Sequence, residues 1–448
     1  MTAKDLAYDT VATLRDKGHE AYWAGGCVRD ALLGREPSDY DVATGAVPAD
    51  IQKYFPNSRA VGAQFGVILV REAEAEVAVA TFRLDHDYFD GRRPANVSFT
   101  RSPEQDVQRR DFTINGLLFD PLENRHLDYV GGRADLDARL IRAIGTPADR
   151  FAEDKLRMLR GVRFAARLDF TIEPETFRAI RDHAPEIEQI APERVRDELN
   201  RILTEGGARR GFELLDETGL LESILPEVAR MKGVAQPPQF HPEGDVWTHT
   251  LLMLEKLENP SVSLALGTLL HDVGKPPTYR VAERIRFDGH VEAGVEIAER
   301  ICERLRYPRR ETEQVVALVA NHMRFREVTR MRSSTLKRFM RLPSFDEHLE
   351  LHRLDCLGSH RHLDNYEFVR RKESELGEEE LRPPPLVTGA DLIAVGYEPG
   401  PQFKEILSEV ENAQLEGRIT SREQALEYIE ERFGKPASGR SGKSEPRA

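Results

Sequence analysis

The sequence predicts an α+β protein, in which a small head with a mixed sheet and helices is followed by a long all-α body. Two runs in the first 130 positions, GVILVRE and AEVAVATFRL, are β-branched and have the length of strands. After about position 150 strand patterns nearly vanish, and helical periodicity dominates in segments such as PERVRDELNRIL. The 448 residues also exceed what one compact core accommodates, so we expect several domains.

Proline-rich and glycine-rich breaks divide the chain near Pro147, in QPPQFHPEGD (236–245) and in GEEELRPPP (377–385). We therefore predict a head (1–147), a helical neck (148–235), a helical body (236–375), a helical tail (376–435) and a disordered terminus (436–448). The predicted disorder rests on the low complexity of the last residues, ASGRSGKSEPRA.

Composition excludes several classes of protein. Lys and Arg number 64 against 77 Asp and Glu, and the formal net charge of −13 argues weakly against a large non-specific nucleic-acid surface. Cys27, Cys302 and Cys356 lie far apart without a CxxC pair, so neither a disulfide scaffold nor a cysteine zinc site is expected. No stretch approaches the ~20 apolar residues of a membrane span, and the N-terminus lacks a signal-peptide core. We expect a cytoplasmic protein without membrane or disulfide partners.

A basic segment spans residues 322–341. It holds seven cations, Arg324, Arg326, Arg330, Arg332, Lys337, Arg338 and Arg341, against the single acid Glu327. A solvated helical face and a phosphate-facing patch are equally compatible with this density of positive charge.

Two adjacent glycines open the first candidate site. Gly25 and Gly26 follow a short apolar strand and precede the predicted helix VRDALLG. Such a turn leaves backbone N–H groups free to approach an anion, and the helix N-terminus adds its positive dipole end. Arg29, one turn further on, is placed to reach the same anion. An ordinary tight turn is the alternative interpretation of the glycines alone.

Two carboxylates, Asp39 and Asp41, follow about ten residues later. On a strand, residues two apart point to one face, so both side chains are expected to converge. Two negative charges at close range are costly unless a hard divalent cation neutralises them. A phosphate-binding turn shortly before a DxD strand predicts metal-assisted nucleotidyl transfer, although a lone DxD is also typical of a solvated loop.

Four motifs occur in order within about 150 residues: GGxxRD from Gly25, DxD from Asp39, RRDFTING over 109–116 and EDxxR from Glu153. This arrangement resembles the class II tRNA nucleotidyltransferase and bacterial poly(A) polymerase superfamily, whose head is a polymerase-beta-like palm. The stretches TFRLDHDYFDGRRP and VSFT also resemble the segment between palm strands in that family.

The resemblance implies a role for each matched position. Asp39 and Asp41 hold two Mg²⁺ ions, and Gly25, Gly26, Arg29 and Arg110 bind the sugar and phosphates of the nucleotide. The chain departs from the family pattern at Ala78, where an acidic residue is common. Glu76, two residues earlier on the same strand face, is a candidate substitute at longer reach, and the sequence assigns no residue as a third carboxylate.

The EDKLR segment is the candidate reader of the base. Placed on one helix, Asp154 and Arg157 are i, i+3 neighbours that offer an acceptor beside donors. Adenine and cytosine both present an amino donor next to a ring-nitrogen acceptor, whereas guanine and uracil do not. Arg160 and Arg163 on the same helix bind nucleotide phosphates or brace the head, as the family pattern implies. A surface helix with salt bridges is the alternative.

The body contains a second constellation. His271 and Asp272 end a largely apolar run, and His249, His290, His322 and Asp355 lie in other predicted helices. Imidazole and carboxylate together suit transition-type divalent ions such as Mn²⁺, Ni²⁺ or Fe²⁺.

The adjacent His-Asp pair followed by Gly-Lys resembles the HD phosphohydrolase superfamily. The resemblance implies that these six residues are metal ligands and that Lys275 contacts a phosphate. A fold retained for RNA docking without hydrolysis is the alternative.

These observations lead to one functional prediction with two alternatives. The chain is expected to add or repair the 3′-terminal CCA of tRNA from CTP and ATP, without a template, by two-metal-ion catalysis that releases pyrophosphate. A poly(A) polymerase, or an enzyme that adds only the terminal A, is the alternative within the class. An HD phosphohydrolase acting on RNA ends is the alternative from another class.

Overall fold

The computed structural model describes residues 1–62, 65–86, 96–239 and 241–435. The predicted disordered terminus (436–448) and positions 87–94 of the TFRLDHDYFDGRRP stretch lie outside the described residues. Across the described ranges, no helix is both long and apolar enough to cross a membrane. Cys27, Cys302 and Cys356 are buried and free.

A seven-stranded mixed sheet forms the head, which confirms the predicted α+β class. Its strands are β1 Ala21–Ala24, β2 Asp41–Thr44, β3 Ser58–Gly62, β4 Val67–Glu72, β5 Ala75–Thr81, β8 Leu118–Asp120 and β9 Arg125–Leu127, and a separate hairpin pairs β6 Arg83–His86 with β7 Asn96–Phe99. The strand order is β3-β4-β5-β2-β1-β8-β9; β2 and β5 are parallel and the other neighbours antiparallel. The helices of this region are α1 Ala3–Asp16, α2 Gly26–Leu32, α3 Pro48–Tyr54, α4 Pro103–Gln108 and α5 Gly132–Asp137.

Apolar alternation explains why the two predicted runs form the neighbouring strands β4 and β5. Along β5, Ala75, Val77 and Val79 are buried on one face, as the period of two requires. Helix α1 packs its fully buried Val11 and Leu14 into the same core. This packing supports the central strands β1 and β2, at whose ends the phosphate turn and the carboxylates lie.

Helices dominate after the head, as predicted. They are α6 Pro147–Glu153, α7 Leu156–Leu168, α8 Pro174–His183, α9 Pro192–Thr204, α10 Ala208–Glu217, α11 Leu220–Ile224, α12 Pro226–Ala229, α13 Val246–Glu255, α14 Val262–Leu270, α15 Lys275–Thr278, α16 His290–Arg304, α17 Arg309–Asn321, α18 Ser333–Met340, α19 Phe345–Gly358, α20 Asp364–Glu375, α21 Glu378–Leu381, α22 Gly389–Ala394, α23 Pro401–Leu415 and α24 Arg422–Phe433. Two short pairs interrupt them: β10 Leu140–Ile141 with β11 Thr171–Ile172, and β12 Arg280–Val281 with β13 Ile285–Arg286.

One hydrophobic core runs without a break from the head through the neck into the body, from Leu6 to Val319. The tail has a core of its own, which includes Val387, Ile406 and Ile429. The tail therefore joins the rest of the molecule through a surface contact, and that contact uses the basic segment.

The basic segment does not form a continuous phosphate-facing patch. Lys337 donates to the Leu415 carbonyl at 3.1 Å, Arg338 pairs with Glu411, and Arg341 pairs with the same carboxylate at 2.6 Å. These cations lie on or beside α18 and hold α23 of the tail. The charge density predicted either solvent or phosphate as its partner, but for Arg338 and Arg341 a helix about 70 residues further on supplies the countercharge.

Candidate active site and histidine cluster

A single cleft between head and neck, with a volume of about 740 Å³, gathers the residues predicted from the first four motifs. All ten of them line it: Gly25, Gly26, Arg29, Asp39, Asp41, Arg110, Asp154, Arg157, Arg160 and Arg163. Residues as far apart in the chain as Gly25 and Arg163, 138 positions, thus line one cavity.

The two carboxylates reach the cleft from slightly different backbone than expected. Strand β2 begins at Asp41, and Asp39 lies two residues before it, outside the strand, so only one of the pair belongs to the strand. The Asp41 side chain opens onto the cleft but is closely surrounded by protein atoms. This burial, together with the charge of Asp39, raises the pKa of the Asp41 carboxyl to about 6.

The same two carboxylates stand apart from the other acids of the cleft. Asp30, Asp111, Asp154 and Glu205 each pair with an arginine. In the part of the chain that the structure describes, neither Asp39 nor Asp41 forms an ion pair. An uncompensated pair of carboxylates is the donor set that a hard cation such as Mg²⁺ fits.

No third carboxylate joins this pair among the described residues of the cleft lining. Ala78 lies directly opposite Asp41 in the parallel pairing of β2 and β5. Glu76, the substitute considered from the sequence, pairs instead with Arg71 on β4 and does not line the cleft. Neither Ala78 nor Glu76 therefore supplies a third carboxylate beside Asp39 and Asp41 in the structure.

Two arginines, Arg29 and Arg110, line the cleft together with the glycine turn and the two carboxylates. Gly25 has a φ of 73°, and a Cβ at this position would lie 3.3 Å from Nη1 of Arg110. Both backbone strain and crowding thus favour glycine. Arg29 is buried and donates from Nη1 to Oδ1 of Asn115 at 2.7 Å, while Arg110 pairs with Asp106 at 3.0 Å.

Asp154 and Arg157 line the cleft, but the single helix predicted for them is wrong. Helix α6 ends at Glu153, Asp154 is extended with φ −142° and ψ 103°, and α7 begins at Leu156. Asp154 accepts two hydrogen bonds from Arg194 of α9, at 2.9 and 3.3 Å. Arg157 donates to Glu153 at 2.7 Å and to the Arg109 carbonyl at 3.0 Å. The two side chains are therefore positioned by separate partners rather than by each other.

Arg160 and Arg163 join helix α7 to the head and to helix α9, respectively. Arg160 forms two hydrogen bonds with Asp111, at 2.6 and 2.8 Å, and so links α7 to the head. Burial works against the charge on Asp111, but Arg160 outweighs burial and lowers the pKa of that carboxyl to about 2. Arg163 is buried, donates to Glu198 of α9 at 2.7 Å and lies over the ring of Phe164.

The partners that position these side chains were not assigned that role from the sequence. Asp111 and Asn115 lie inside the RRDFTING motif, so a signal for them was present. Arg194 lies 40 positions from its partner Asp154, and no local pattern connects the two.

The second constellation also comes together, around a cavity of about 420 Å³ in the body. His249 lies on α13, His271 and Asp272 follow α14, His290 begins α16, His322 follows α17, and Asp355 lies on α19. Their donor atoms form two close groups, His249 with His271 and Asp355, and Asp272 with His290 and His322, each within 4.8 Å.

Three of these imidazoles are held in the same way. Nδ1 of His271, His290 and His322 lies 2.9, 2.9 and 2.7 Å from the backbone carbonyl three residues earlier. That contact places the proton on Nδ1 and leaves Nε2 as the acceptor. Each Nε2 is buried and faces the carboxylate of Asp272, at 3.1 Å from His271, 3.7 Å from His322 and 3.9 Å from His290. Burial lowers the pKa of His322 to about 4, which keeps this imidazole neutral at pH 7. The donor set fits a divalent transition metal.

His249 and Lys275 are engaged differently. Nδ1 of His249 lies 2.9 Å from Glu243 and Nε2 lies 3.2 Å from Asp355. Burial opposes its charge, but these carboxylates outweigh burial and raise the pKa of His249 to about 9. Lys275 lines the cavity, pairs with Asp272 at 2.6 Å and donates to Gln236 at 2.6 Å, and the phosphate contact suggested for it stays a prediction. Glu243, which lies 2.9 Å from Nδ1 of His249, was missed.

Three family models match the chain in order: the poly A polymerase head domain over 21–142, a probable RNA and SrmB-binding site of polymerase A over 169–232, and the HD domain over 245–355. The CCA-adding enzyme of Streptococcus mutans is 32% identical over 429 residues, which cover 94% of this chain and 95% of that relative. The CCA-adding enzyme of Streptococcus thermophilus is 32% identical over 423 residues, covering 92% and 93%.

Solved structures show the same likeness. The Bacillus stearothermophilus CCA-adding enzyme in complex with CTP has a TM-score of 0.73 and 26% identity, covering 95% of this chain and 98% of that one. The Thermotoga maritima CCA-adding enzyme complexed with tRNA shares the fold, with a TM-score of 0.61, 19% identity and coverage of 96% and 95%.

A polymerase-type head, a helical neck and an HD body, with the head motifs gathered in one cleft, define an RNA nucleotidyltransferase. Because a relative 32% identical is matched along 94% of this chain, the chain belongs to the family of CCA-adding enzymes.

Proposed function

We propose that this chain adds or repairs the 3′-terminal CCA of tRNA, using CTP and ATP in the cleft between head and neck. One observation carries the proposal: the unpaired carboxylates Asp39 and Asp41 line the same cavity as the base-reading candidates Asp154 and Arg157. The names of the relatives favour CCA addition over poly(A) synthesis or addition of the terminal A alone. Three free cysteines support activity in the reducing cytoplasm.

Asp39 and Asp41 are the residues that would hold Mg²⁺. When bound there, divalent metal lowers the pKa of the RNA 3′-hydroxyl and neutralises charge on the leaving pyrophosphate. In the reaction the 3′-oxygen forms a bond to the α-phosphorus of the nucleotide, the α–β bridging bond breaks, and the hydroxyl proton is lost to solvent. The chain supplies the phosphate-binding turn at Gly25 and Gly26 and the cations Arg29 and Arg110.

The neck supplies base selection in place of a template strand. A carboxylate offers about four acceptor sites, and Asp154 uses three of them, two for Arg194 and one for the Leu156 N–H, so it retains capacity for one amino donor. A guanidinium has five donors, and Arg157 likewise keeps donors free for a ring nitrogen. Arg194 thus positions the Asp154 carboxylate and leaves an acceptor site on it for the base. Each satisfied contact of this kind is worth about 1–3 kcal/mol of discrimination, by analogy with bidentate groove readout.

Single-nucleotide assays test the proposal. Transcripts of tRNA that end before the CCA, after the first C, and after CC are incubated with each nucleotide separately in Mg²⁺. We expect CTP alone to extend the first two and ATP alone to extend the third, with addition then stopping. Addition of A only to the CC-ending transcript would identify an A-adding enzyme, and continued growth in ATP would identify a poly(A) polymerase.

We propose a second activity, hydrolysis of phosphate esters at RNA ends, for the body. The supporting observation is the set of buried Nε2 atoms of His271, His290 and His322 directed at the cavity that Asp272 lines. Assays with 2′,3′-cyclic phosphates in Mn²⁺, Ni²⁺ or Fe²⁺ test it. No hydrolysis with any of these metals would contradict it and would leave the HD fold as a scaffold for RNA.

A further inference from the structure

We infer that a corner of the body, formed by Arg306 and Tyr307, positions the base-reading carboxylate of Asp154 by holding helix α9 in place. The inference deepens the proposed function and rests on it, because it assigns further residues to the selection of CTP and ATP. Neither residue of the corner lines the cleft, so both are positioning residues that act through α9 and its Arg194.

One face of α9 is turned to the cleft. Arg194 and Arg201 on the helix, and Glu205 just after its end, all line the cavity. Their spacings of seven and four residues keep side chains on one side of a helix. From this face Arg194 donates to Asp154 at 2.9 and 3.3 Å. The position of α9 therefore determines where the acceptor for the base lies.

A second face of α9 contacts the corner, which connects α16 to α17. The residues of this face are Glu193, Arg196 and Asn200, three and four positions apart. Tyr307 donates from its hydroxyl to Oδ1 of Asn200 at 2.6 Å, and Arg306 donates to Glu193 at 2.7 Å. Arg196 donates to the Arg306 carbonyl, and its guanidinium lies over the Tyr307 ring, 5.8 Å from the centroid. Two residues of the body thus hold one whole face of a neck helix.

The corner is itself fixed by its backbone. Arg306 has a φ of 54°, the left-handed conformation that ends many helices. The N–H groups of Arg306 and Tyr307 donate to the carbonyls of Glu303 and Cys302 at 3.0 and 2.9 Å, which closes the end of α16. Tyr307 is 8% exposed, and burial raises the pKa of its phenol, so the hydroxyl keeps its proton and donates. A buried donor on a fixed backbone holds its partner in one place.

A helix transmits this constraint from one face to the other because it is stiff. Rotation of α9 by about 10° would move a side chain about 6 Å from its axis by roughly 1 Å. A misplacement of about 1 Å in a reacting complex can cost about a hundredfold in rate. The contacts with the corner oppose such a rotation, and Arg194 is held in place with the rest of the helix.

The corner is remote from the histidine cluster of the body. His290 begins α16 and His322 follows α17, whereas Arg306 and Tyr307 lie at the opposite ends of these two helices. The 15 residues of α16, at a rise of about 1.5 Å each, separate the corner from the cluster by about 22 Å. The corner therefore supports nucleotide selection independently of any hydrolysis in the body.

Tyr307→Phe tests the inference, because it keeps the ring and removes only the donor. Single-turnover addition of each nucleotide is measured on transcripts ending before the CCA and after CC. We expect the preference for CTP and ATP over UTP and GTP to fall about three- to tenfold, the range of one lost hydrogen bond. Tyr397→Phe is the matched control and should keep the preference. Its ring is equally buried, at 8% exposed, but its hydroxyl donates to the Gly434 carbonyl inside the tail.

Variants on the neck side separate positioning from a general loss of stability. Asn200→Ala removes the acceptor and should reproduce the loss of preference. Asn200→Asp keeps an acceptor oxygen and should retain most of the parental preference. In an Arg194→Ala background, Tyr307→Phe should reduce the preference no further, because the corner acts through Arg194.

The outcomes distinguish the inference from the proposed function. Parental preference in both Tyr307→Phe and Asn200→Ala, or losses that add in full to that of Arg194→Ala, would overturn the inference. An equal loss for all four nucleotides with a lowered melting temperature would also overturn it, because the contact would then be structural only. A parent chain that adds neither C nor A would instead overturn the proposed function, a result that does not depend on any of these variants.

Discussion

Asp41 carries a charge that the fold disfavours. Its folded pKa of about 6 lies above the ordinary value of 3.8, because burial and the neighbouring Asp39 both oppose ionisation. A raised carboxyl pKa means that the folded state binds the proton more tightly. Stability therefore falls as pH rises through this range, and it is recovered when a cation neutralises the pair.

The first prediction concerns this charge. In EDTA, Asp41→Asn should melt about 1–2 °C above the parent at pH 8, and the difference should vanish towards pH 4. The effect is small because the side chain opens onto solvent, which screens the interaction. Mg²⁺ should raise the melting temperature of the parent more than that of the variant. A variant less stable than the parent at pH 8 would contradict the assignment.

The second prediction concerns Asp154. Asp154→Ala should lower the efficiency of CTP and ATP addition about tenfold or more and admit UTP or GTP, because the acceptor for the amino group is lost. Single-turnover incorporation of each nucleotide measures this. Asp182→Ala, an exposed carboxylate on α8, is the matched control. An equal loss for all four nucleotides would show that the segment positions phosphates only.

Elements formed by local patterns were predictable from the sequence, and elements shaped by distant partners were not. The alternation along β5 and the helical periodicity of α9 determine those elements directly. The break between α6 and α7 was not predicted, because every residue of EDKLR tolerates a helix. Asp154 interrupts it by accepting from the Leu156 N–H at 3.1 Å, as Asp side chains in turns do with the backbone two residues on, and by pairing with Arg194 from another helix.

The same limit applies to the sites. Gly25, Asp41 and His271 were found because short motifs mark them. Glu243 and Arg194 were not, since their roles depend on contacts that only the folded chain creates. Partners that orient a functional group often lie in another element, where no spacing rule identifies them.

The third prediction belongs to the tail helix α23. Glu411 accepts from both Arg338 and Arg341, so Glu411→Ala should remove about 1 kcal/mol from tail docking and make it less dependent on salt. Limited proteolysis in the 377–385 linker should become a few-fold faster. Glu409→Ala, on the same helix but paired with Arg432 inside the tail, is the control. Equal cleavage rates in the two variants would contradict the docking role.

On the scale of the whole molecule, two cavities share one continuous core. The cleft between head and neck and the cavity of the body have no lining residue in common. The head offers oxygen ligands and the body adds imidazole nitrogen, so the two centres are expected to take different metals. Separate sites on one scaffold predict separable chemistries.

The fourth prediction tests that separation. His271→Ala with Asp272→Ala should eliminate metal-dependent hydrolysis of 2′,3′-cyclic phosphates and leave nucleotide addition in Mg²⁺ within a few-fold of the parent. Both residues are buried, so a melting curve must accompany the assays. Collapse of nucleotide addition in a well-folded variant would show that the body and the head are coupled.

The central claim is that one metal-binding cleft performs every nucleotide addition, and Asp41→Ala tests it most directly. Addition of C to a transcript ending before the CCA and addition of A to one ending in CC are measured with the same preparation, together with tRNA affinity. The account predicts that both additions fall to background while tRNA binding stays within a few-fold. Asp16→Ala, whose carboxylate is 83% exposed, should retain both additions. Survival of either addition in Asp41→Ala would contradict the account, because it would place the reacting centre elsewhere.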